Sequence, residues 1–270
     1  MNKFWKILIL FLAFFLLNKN FGVWAGTAFL ILTILFLIWN NRATIMARFA
    51  IQAYFIRGEK EKSAKLFEKA YKTGIMTSNS KIYYSSFCLR EGRLEKAKHL
   101  LTEVINSRYS KDEDKISGKH NMAVVLWREG DLMGAIDLMR EVHTKATSTG
   151  TYGTYGVLLL EKAKETKDFE EIREFMLEAY EYNEDDKTVA DNLGEFYYNT
   201  GEYDKAAELY EKLLEKEFIT PMPYYNYGKV LKELGNIEKA KEMFEKALTC
   251  RFTHVITVNR EMIEEELKSL

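Results

Sequence analysis

Residues 192–210 read NLGEFYYNTGEYDKAAELY, and residues 226–244 read NYGKVLKELGNIEKAKEMF. The two stretches share an Asn, two Gly, an Ala and an aromatic residue at matched positions, and each matched pair lies 34 residues apart. This period is typical of arrays in which one unit is a pair of helices joined by a Gly-centred turn. The sequence therefore predicts an all-α fold built from repeated helix pairs.

The glycines of this pattern have separate physical reasons. Gly194 and Gly228 fall in the middle of a predicted helix, where Gly costs about 1 kcal/mol relative to Ala. A close approach by the neighbouring helix would offset that cost. Gly201 and Gly235 fall where the first helix of each pair ends, and a left-handed residue in that position favours Gly.

Weaker copies of the pattern precede these two. Six repeats are predicted, at 44–77, 78–115, 116–148, 149–186, 187–220 and 221–254. Two irregularities interrupt them, a charged insertion at Ser107–Lys119 and an extended turn around Lys164–Asp168. The last residues, Val255–Leu270, have apolar side chains at helical spacing and predict an amphipathic helix that caps the exposed end of the array.

Residues 44–254 resemble the tetratricopeptide superfamily. The resemblance implies antiparallel helix pairs stacked into a right-handed superhelix, with a concave groove that binds a protein or an extended peptide. The chain is also similar to membrane-anchored bacterial members of this superfamily. Some of those carry a Cys-x-x-Cys knuckle, which is absent from this sequence.

Composition argues against several other functions. The net charge is −1, which gives no overall electrostatic case for binding nucleic acid. Two cysteines far apart in the repeat order favour a reducing compartment over a disulfide framework. The four histidines have no partner at metal-ligand spacing, and there is no phosphate-binding loop motif. We therefore expect no cofactor, no metal site and no enzymatic activity.

The N-terminal residues are strongly apolar. Ile7–Leu17 and Phe21–Trp39 contain no charge, and the second stretch would span about 28 Å as a helix, close to the thickness of a bilayer core. Basic residues precede the first stretch and follow the second, and all 40 acidic residues come after Arg57. These features predict a transmembrane hairpin over 1–42 whose two ends face the cytoplasm. A superhelix over 43–254 and a cap over 255–270 complete the predicted domain organisation.

Two alternatives remain for this segment. The first is a single span at 21–39, with residues 1–17 lying at the membrane surface or too short to cross. The second is a signal peptide cleaved after Val23-Trp24-Ala25, in which case the repeats would be exported.

The resemblance places the first helix of each pair along the groove. The residues predicted there, by helical spacing, are Arg48, Gln52, Phe55, Arg90, His120, Asn121, Trp127, Arg128, Asp191, Asn192, Glu195, Tyr198, Tyr225, Asn226 and Lys229. Trp127 and Tyr198 are the preferred anchors for a partner, unless their rings pack against the next repeat.

Three of these groove residues are asparagines at equivalent positions, where their amides either hold a peptide backbone or simply follow the repeat consensus. Acidic residues on this surface argue against capture of a C-terminal carboxylate.

Two functions are consistent with the sequence. In the first, a membrane-tethered adaptor recruits a protein or peptide to the cytoplasmic membrane face. In the second, the hairpin docks into an integral membrane complex and the repeats act as an assembly subunit. The small residues of the second apolar stretch, among them Gly26 and Ala28, suit helix–helix packing in a bilayer.

Overall fold

The computed structural model describes residues 3–270, and every regular element in that range is helical. The predicted all-α solenoid is thus confirmed for these residues. The chain divides into two compact units, Met1–Ser80 and Lys81–Leu270.

The first unit begins with two antiparallel helices that pack against each other, α1 (Lys3–Phe21) and α2 (Val23–Asn40). Residues 18–20, which separate the two apolar stretches, form the last turn of α1, and the chain reverses at Gly22, whose φ of 85° favours Gly. Among the described residues, α2 is the one helix whose length and composition would let it cross a membrane. The side chains of Lys3 and Lys6, the basic residues that precede the first apolar stretch, lie outside the described ones.

The rest of the first unit is one helix pair. α3 (Arg42–Ile51) continues into a π-helical turn (Gln52–Ile56), and α4 (Lys60–Lys72) packs against it. α3 carries buried alanines, among them Ala47 and Ala50, and α4 carries the fully buried ring of Phe67. The Ser63 hydroxyl donates to the Ala50 carbonyl at 2.9 Å, so the small residues let the two helices come close.

The second unit holds five helix pairs and a terminal helix. Its helices are α5 (Ser78–Arg90), α6 (Leu94–Asn106), α7 (Asp112–Arg128), α8 (Leu132–Lys145), α9 (Thr149–Thr166), α10 (Arg173–Tyr182), α11 (Lys187–Asn199), α12 (Tyr203–Leu213), α13 (Met222–Glu233), α14 (Ile237–Thr249) and α15 (Arg260–Lys268). From α6 onward each helix packs mainly against its neighbours in sequence, as a stacked array requires.

The turns within the pairs follow one pattern. Gly201 and Gly235 are left-handed, with φ of 77° and 76°. The residue after each Gly donates its N–H back to the preceding helix, Glu202 to Tyr197 at 2.9 Å and Asn236 to Leu231 at 2.8 Å. These bonds satisfy carbonyls that a helix end leaves open, which is why the 34-residue spacing of the glycines is structural.

The structure differs from three local predictions. The insertion predicted at 107–119 is taken up as helix, and residues 112–119 are the first two turns of a lengthened α7, because acidic residues at its start favour a helix N-terminus. α9 runs through Thr166, so the fourth repeat turns at Lys167, a non-glycine residue with φ of 62°. The terminal helix begins at Arg260, and residues 250–259 form a loop instead.

Candidate functional site

A cavity of about 690 Å³ lies in the second unit, against the first helices of its pairs. Helices α5, α7, α9 and α11 supply one wall, and the loops before α13 and after α14 supply the other. The lining residues are Ser86, Leu89, Arg90, His120, Asn121, Val124, Trp127, Thr154, Val157, Lys187, Thr188, Asp191, Asn192, Glu217, Phe218, Ile219, Thr220, Met222, Pro223, Val255, Ile256 and Thr257.

The cavity brings together six of the predicted groove residues. They are Arg90, His120, Asn121, Trp127, Asp191 and Asn192. They come from three different first helices, α5, α7 and α11, which the stacking of the pairs places side by side. The wall is more apolar than polar, a composition common in pockets that bind partners through a few oriented polar groups.

His120 is a polar group of this wall that carries no charge at neutral pH. Its Nε2 lies 2.7 Å from the Thr154 hydroxyl on α9. Burial lowers the pKa of His120 below its ordinary value, because the charged imidazolium is penalised in the interior. A neutral imidazole offers one donor and one acceptor, so this position suits hydrogen bonding rather than charge recognition.

Trp127 is a large aromatic side chain on the helical wall of the cavity. It is half-buried, and the Arg128 guanidinium lies 5.3 Å from its ring centroid. Burial also lowers the pKa of Arg128, while Glu161 opposes that shift. The exposed part of the indole faces the cavity, where a partner can cover it.

The predicted asparagines join successive first helices. Asn121 donates to the Ser86 hydroxyl at 2.8 Å, and Asn192 donates to the Gly153 carbonyl at 2.9 Å. Each bond runs from one repeat to the one before it. The amide nitrogens therefore stabilise the stack, and contact with a peptide through the amide oxygens stays a prediction.

Asn226, the third asparagine, belongs to a buried polar cluster next to the cavity. It donates to Asp191 Oδ1 at 3.1 Å, and the Tyr210 hydroxyl donates to the same oxygen at 3.0 Å. Burial raises the pKa of Asp191 to about 7, and the nearby carboxylate of Glu195 adds to the shift. Asp191 is therefore poised between its neutral and charged forms near physiological pH.

Two lysines neutralise this region. Lys164 Nζ lies 2.5 Å from Glu195 Oε1, whose side chain is 11% exposed. Lys229 lies 4.0 Å from the Tyr198 ring centroid and 5.6 Å from that of Tyr225. Burial lowers the pKa of the Lys229 ammonium. Tyr198, predicted as an anchor, packs against this lysine and is not part of the cavity wall.

The repeat pattern of the chain has recognisable counterparts. Two protein-family models described as tetratricopeptide repeat match residues 188–217 and 223–253. The chain is a tetratricopeptide-repeat protein. The matched ranges are the two repeats whose 34-residue spacing is most regular, and they supply Asp191, Asn192 and the buried cluster.

Solved structures share the fold of this tetratricopeptide-repeat protein. A tetratricopeptide repeat protein from Parabacteroides merdae is 14% identical, with a TM-score of 0.63 over 96% of each chain. A thermophilic TPR protein from Thermus thermophilus is 15% identical, with a TM-score of 0.58 over 72% of this chain and 98% of its own. No curated protein matches the chain in sequence.

The remaining predicted groove residues lie in the first unit of this tetratricopeptide-repeat protein. Arg48 and Gln52 line a shallow depression there, together with the exposed Phe49 and Ile56. Phe55, also exposed, packs edge-on against Tyr54 at 5.0 Å between ring centroids.

Sequence reasoning missed the loop wall of the cavity. The loop before α13 is fixed by Lys187, which donates to the Glu217 carbonyl at 2.9 Å and lies 4.2 Å from the Phe218 ring centroid. The loop after α14 was predicted as helix. The stretch Phe252-Thr253-His254-Val255-Ile256-Thr257, rich in β-branched residues, is the signal that could have argued against helix there.

Metal binding finds no support in the part of the chain that the structure describes. No group of three or more His, Cys, Asp or Glu side chains there could hold an ion. Cys88 is buried and Cys250 is half-buried.

Proposed function

We propose that this chain is a membrane-tethered adaptor that binds a protein or peptide segment in the cavity of its second unit. The observation that carries the proposal is the cavity itself, where Trp127, His120 and Asn121 project from one helix beside apolar side chains. A half-buried Trp with oriented polar neighbours is the usual composition of an energetically dominant contact. Tetratricopeptide repeats generally serve as scaffolds, so we propose a binding function and not catalysis.

The features that support membrane tethering lie in the first unit. α2 has the length and apolar character of a membrane span, and Arg42 follows it directly. The Arg42 guanidinium donates to the Trp39 carbonyl at 2.7 Å and lies 4.2 Å from the Trp39 ring centroid. Trp and Arg adjoining the end of a span suit the cytoplasmic interface, which supports a cytoplasmic location for the repeats.

The alternative function, docking of the hairpin into an integral membrane complex, has one observation in its favour. The Asn18 amide oxygen on α1 is buried and has no hydrogen-bond partner among the described residues. A neighbouring helix could supply one. Against it, Asn18 packs over Gly26, so the small-residue side of α2 is used inside the hairpin. Ala28 is exposed and would remain available to another helix.

The adaptor is tested by crosslinking and affinity purification of the full chain from native membranes. Trp127→Ala should lose the partners that the wild type recovers. Tyr109→Ala is the matched control, since Tyr109 is 80% exposed on a loop away from the cavity. Equal recovery by wild type and Trp127→Ala would refute the adaptor. Loss of recovery in an inserted Ala28→Leu variant, with Trp127→Ala unaffected, would favour the assembly subunit.

A further inference from the structure

An apolar depression lies in the first unit, where α2 meets the first helix pair. It has a volume of about 630 Å³. α2 supplies four of its lining side chains, α3 supplies Arg42 and Met46, and α4 supplies Lys69. The depression therefore joins the end of the apolar helix to the start of the repeats.

The pairing of α3 with α4 brings its two basic side chains together. Ser63, near the start of α4, donates to the carbonyl of Ala50, near the end of α3, so the two helices run antiparallel. Lys69 lies in the last turn of α4 and so comes to the beginning of α3, where Arg42 lies. The two cations line the same depression although they are 27 positions apart by their numbers.

Neither cation has a carboxylate partner among the described residues. Elsewhere on α4, by contrast, Lys62 is neutralised by Glu59 at 2.7 Å. The acidic residues of α4 itself, Glu61 and Glu68, do not line the depression, and no acidic residue precedes Glu59 in the sequence. The described lining thus carries positive charge that no part of the chain in the depression balances.

Arg42 is held in place by Trp39. Its guanidinium donates to the Trp39 carbonyl at 2.7 Å and lies 4.2 Å from the centroid of the Trp39 ring. A guanidinium has five N–H donors, so most of them remain for a ligand. Its planar fork matches the oxygens of a phosphate, and the ammonium of Lys69 adds a second positive charge.

The rest of the lining suits hydrocarbon. Leu35, Phe36 and Ile38 of α2 are each more than half exposed. A soluble anion bound by the cations would leave these side chains uncovered. A phospholipid would cover them with an acyl chain while its phosphate reaches the cations, so the two kinds of lining favour a lipid over a free phosphate.

We propose that the depression binds an anionic phospholipid of the cytoplasmic leaflet, with its phosphate between Arg42 and Lys69 and an acyl chain along α2. This inference rests on the membrane tether of the proposed function and deepens it. The cytoplasmic leaflet carries a negative surface potential, which attracts basic residues next to a span. Contact with one lipid from both α2 and α4 holds the first helix pair against the membrane surface.

The test reconstitutes the full chain in vesicles of phosphatidylcholine and phosphatidylglycerol and reads the fluorescence of Trp39, which is 64% exposed. Trp5→Phe, Trp24→Phe and Trp127→Phe leave Trp39 as the single tryptophan. One lipid at a time is brominated in the upper part of its acyl chains and quenches an adjacent indole. We expect phosphatidylglycerol to be preferred at Trp39 by about tenfold, and Lys69→Gln to reduce that preference about fivefold.

Lys72→Gln is the matched control. It removes the same charge from the same helix, but the exposed Lys72 does not line the depression, so the preference should stay at the wild-type value. Equal loss in the two lysine variants would indicate diffuse attraction, and equal quenching by the two lipids would indicate no selectivity. Quenching by neither lipid would indicate that protein covers the depression. Each of these outcomes overturns the inference, as does loss of the preference in excess inorganic phosphate at matched ionic strength.

Failure of this inference is distinguishable from failure of the adaptor. Flotation of the vesicles reports whether the chain is inserted, whichever lipid lies at Trp39. An inserted chain without lipid preference lacks the site, while the tether and a partner recovery that depends on Trp127 still stand. A chain that does not float refutes the tether together with the site. A lipid preference combined with partner recovery that ignores Trp127 keeps the site and refutes the adaptor.

Discussion

The ring of Phe244 lies over Gly228 so closely that a Cβ on Gly228 would come within 2.6 Å of it. Phe244 belongs to the second helix of the pair and is fully buried, so its ring cannot move away to make room for an added Cβ. Tyr210 covers Gly194 in the same way, again at 2.6 Å, one repeat earlier. The mid-helix glycines thus exchange helix propensity for contact between the two helices of a repeat.

Gly228→Ala should therefore destabilise the protein. The added methyl group gains about 1 kcal/mol of helix propensity but overpacks a full core, which typically costs about 1–3 kcal/mol. We expect a net loss of up to about 2 kcal/mol, measured as a lower midpoint of urea unfolding followed by circular dichroism. Gly150→Ala is the control. It is also helical, but its nearest neighbours lie 4.0 Å away, so it should be neutral or slightly stabilising. Equal effects would show that the packing argument is wrong.

Asp191→Asn should flatten the dependence of stability on pH. The pKa of Asp191 is raised by burial to about 7 from an ordinary 3.8, so its contribution is greatest below pH 4 and is lost as the pH rises to 7. Asn mimics the neutral acid at every pH. Relative to Asp191→Asn, the wild type should lose up to about 3 kcal/mol between pH 5 and pH 8.

His120 and His143 make stability rise with pH, opposite in sign to Asp191. Both proteins contain these histidines, so their effect cancels when the variant is compared with the wild type. Burial lowers the pKa of both, and they favour the folded state as the pH rises. Melting temperatures at pH 5 and pH 8 are the measurement. Asp137→Asn, at an exposed carboxylate on α8, should give the same difference from wild type at both pH values. A constant difference for Asp191→Asn would contradict the prediction.

Lys164→Met should destabilise the second unit by about 1–3 kcal/mol. It would leave Glu195 without its partner beside Asp191, and an uncompensated buried charge is costly. The Lys164 side chain is 31% exposed, so solvent screening reduces the loss below that of a fully buried pair.

Lys246→Met is the matched control for this pair. Its ion pair with Glu242 at 2.9 Å has both side chains more than half exposed, and the loss there should stay within about 0.5 kcal/mol. Unfolding midpoints at pH 7 compare the two. If both variants lose the same small amount, Glu195 is not electrostatically dependent on Lys164.

Gly92→Ala should loosen the loop after α14, because the His254 ring of that loop lies over Gly92. The substitution strains a left-handed turn, with φ of 71°, and also displaces the His254 ring. Gly201→Ala, with φ of 77° and open space around it, carries the strain alone. Hydrogen–deuterium exchange over residues 250–259 should become faster in Gly92→Ala than in Gly201→Ala. Identical exchange in the two variants would mean that the His254 ring does not hold this loop in place.

The regular part of the fold was predictable because its causes are local. The left-handed Gly201 and the occluded Gly194 both follow from positions within one 34-residue unit, and the capping bonds of each turn involve neighbouring residues. The continuation of α9 through Lys164–Thr166 was harder to predict. The left-handed residue that ends α9 is Lys167, and the sequence has no Gly there to mark the turn.

The cavity was predictable only in part. Helical spacing identified Trp127 and Asn121 as residues of one face, and stacking of the pairs places them at the cavity. Helical spacing could not show that the Tyr198 ring would pack against Lys229, because that contact joins two repeats. The loop after α14 is held by a hydrogen bond from the His254 N–H to the Arg90 carbonyl, 164 positions apart by their numbers, for which no local pattern exists.

The bond between His254 and Arg90 also fixes how many repeats this array can contain. Most stacked arrays lengthen or shorten by whole units, since each unit touches only the next. Here the helix that ends at Arg90 and the loop that follows α14 meet again, so a duplicated or deleted pair between them would carry the two partners apart. Gain or loss of a repeat, usually a neutral route of evolution for such proteins, would in this chain open the cavity.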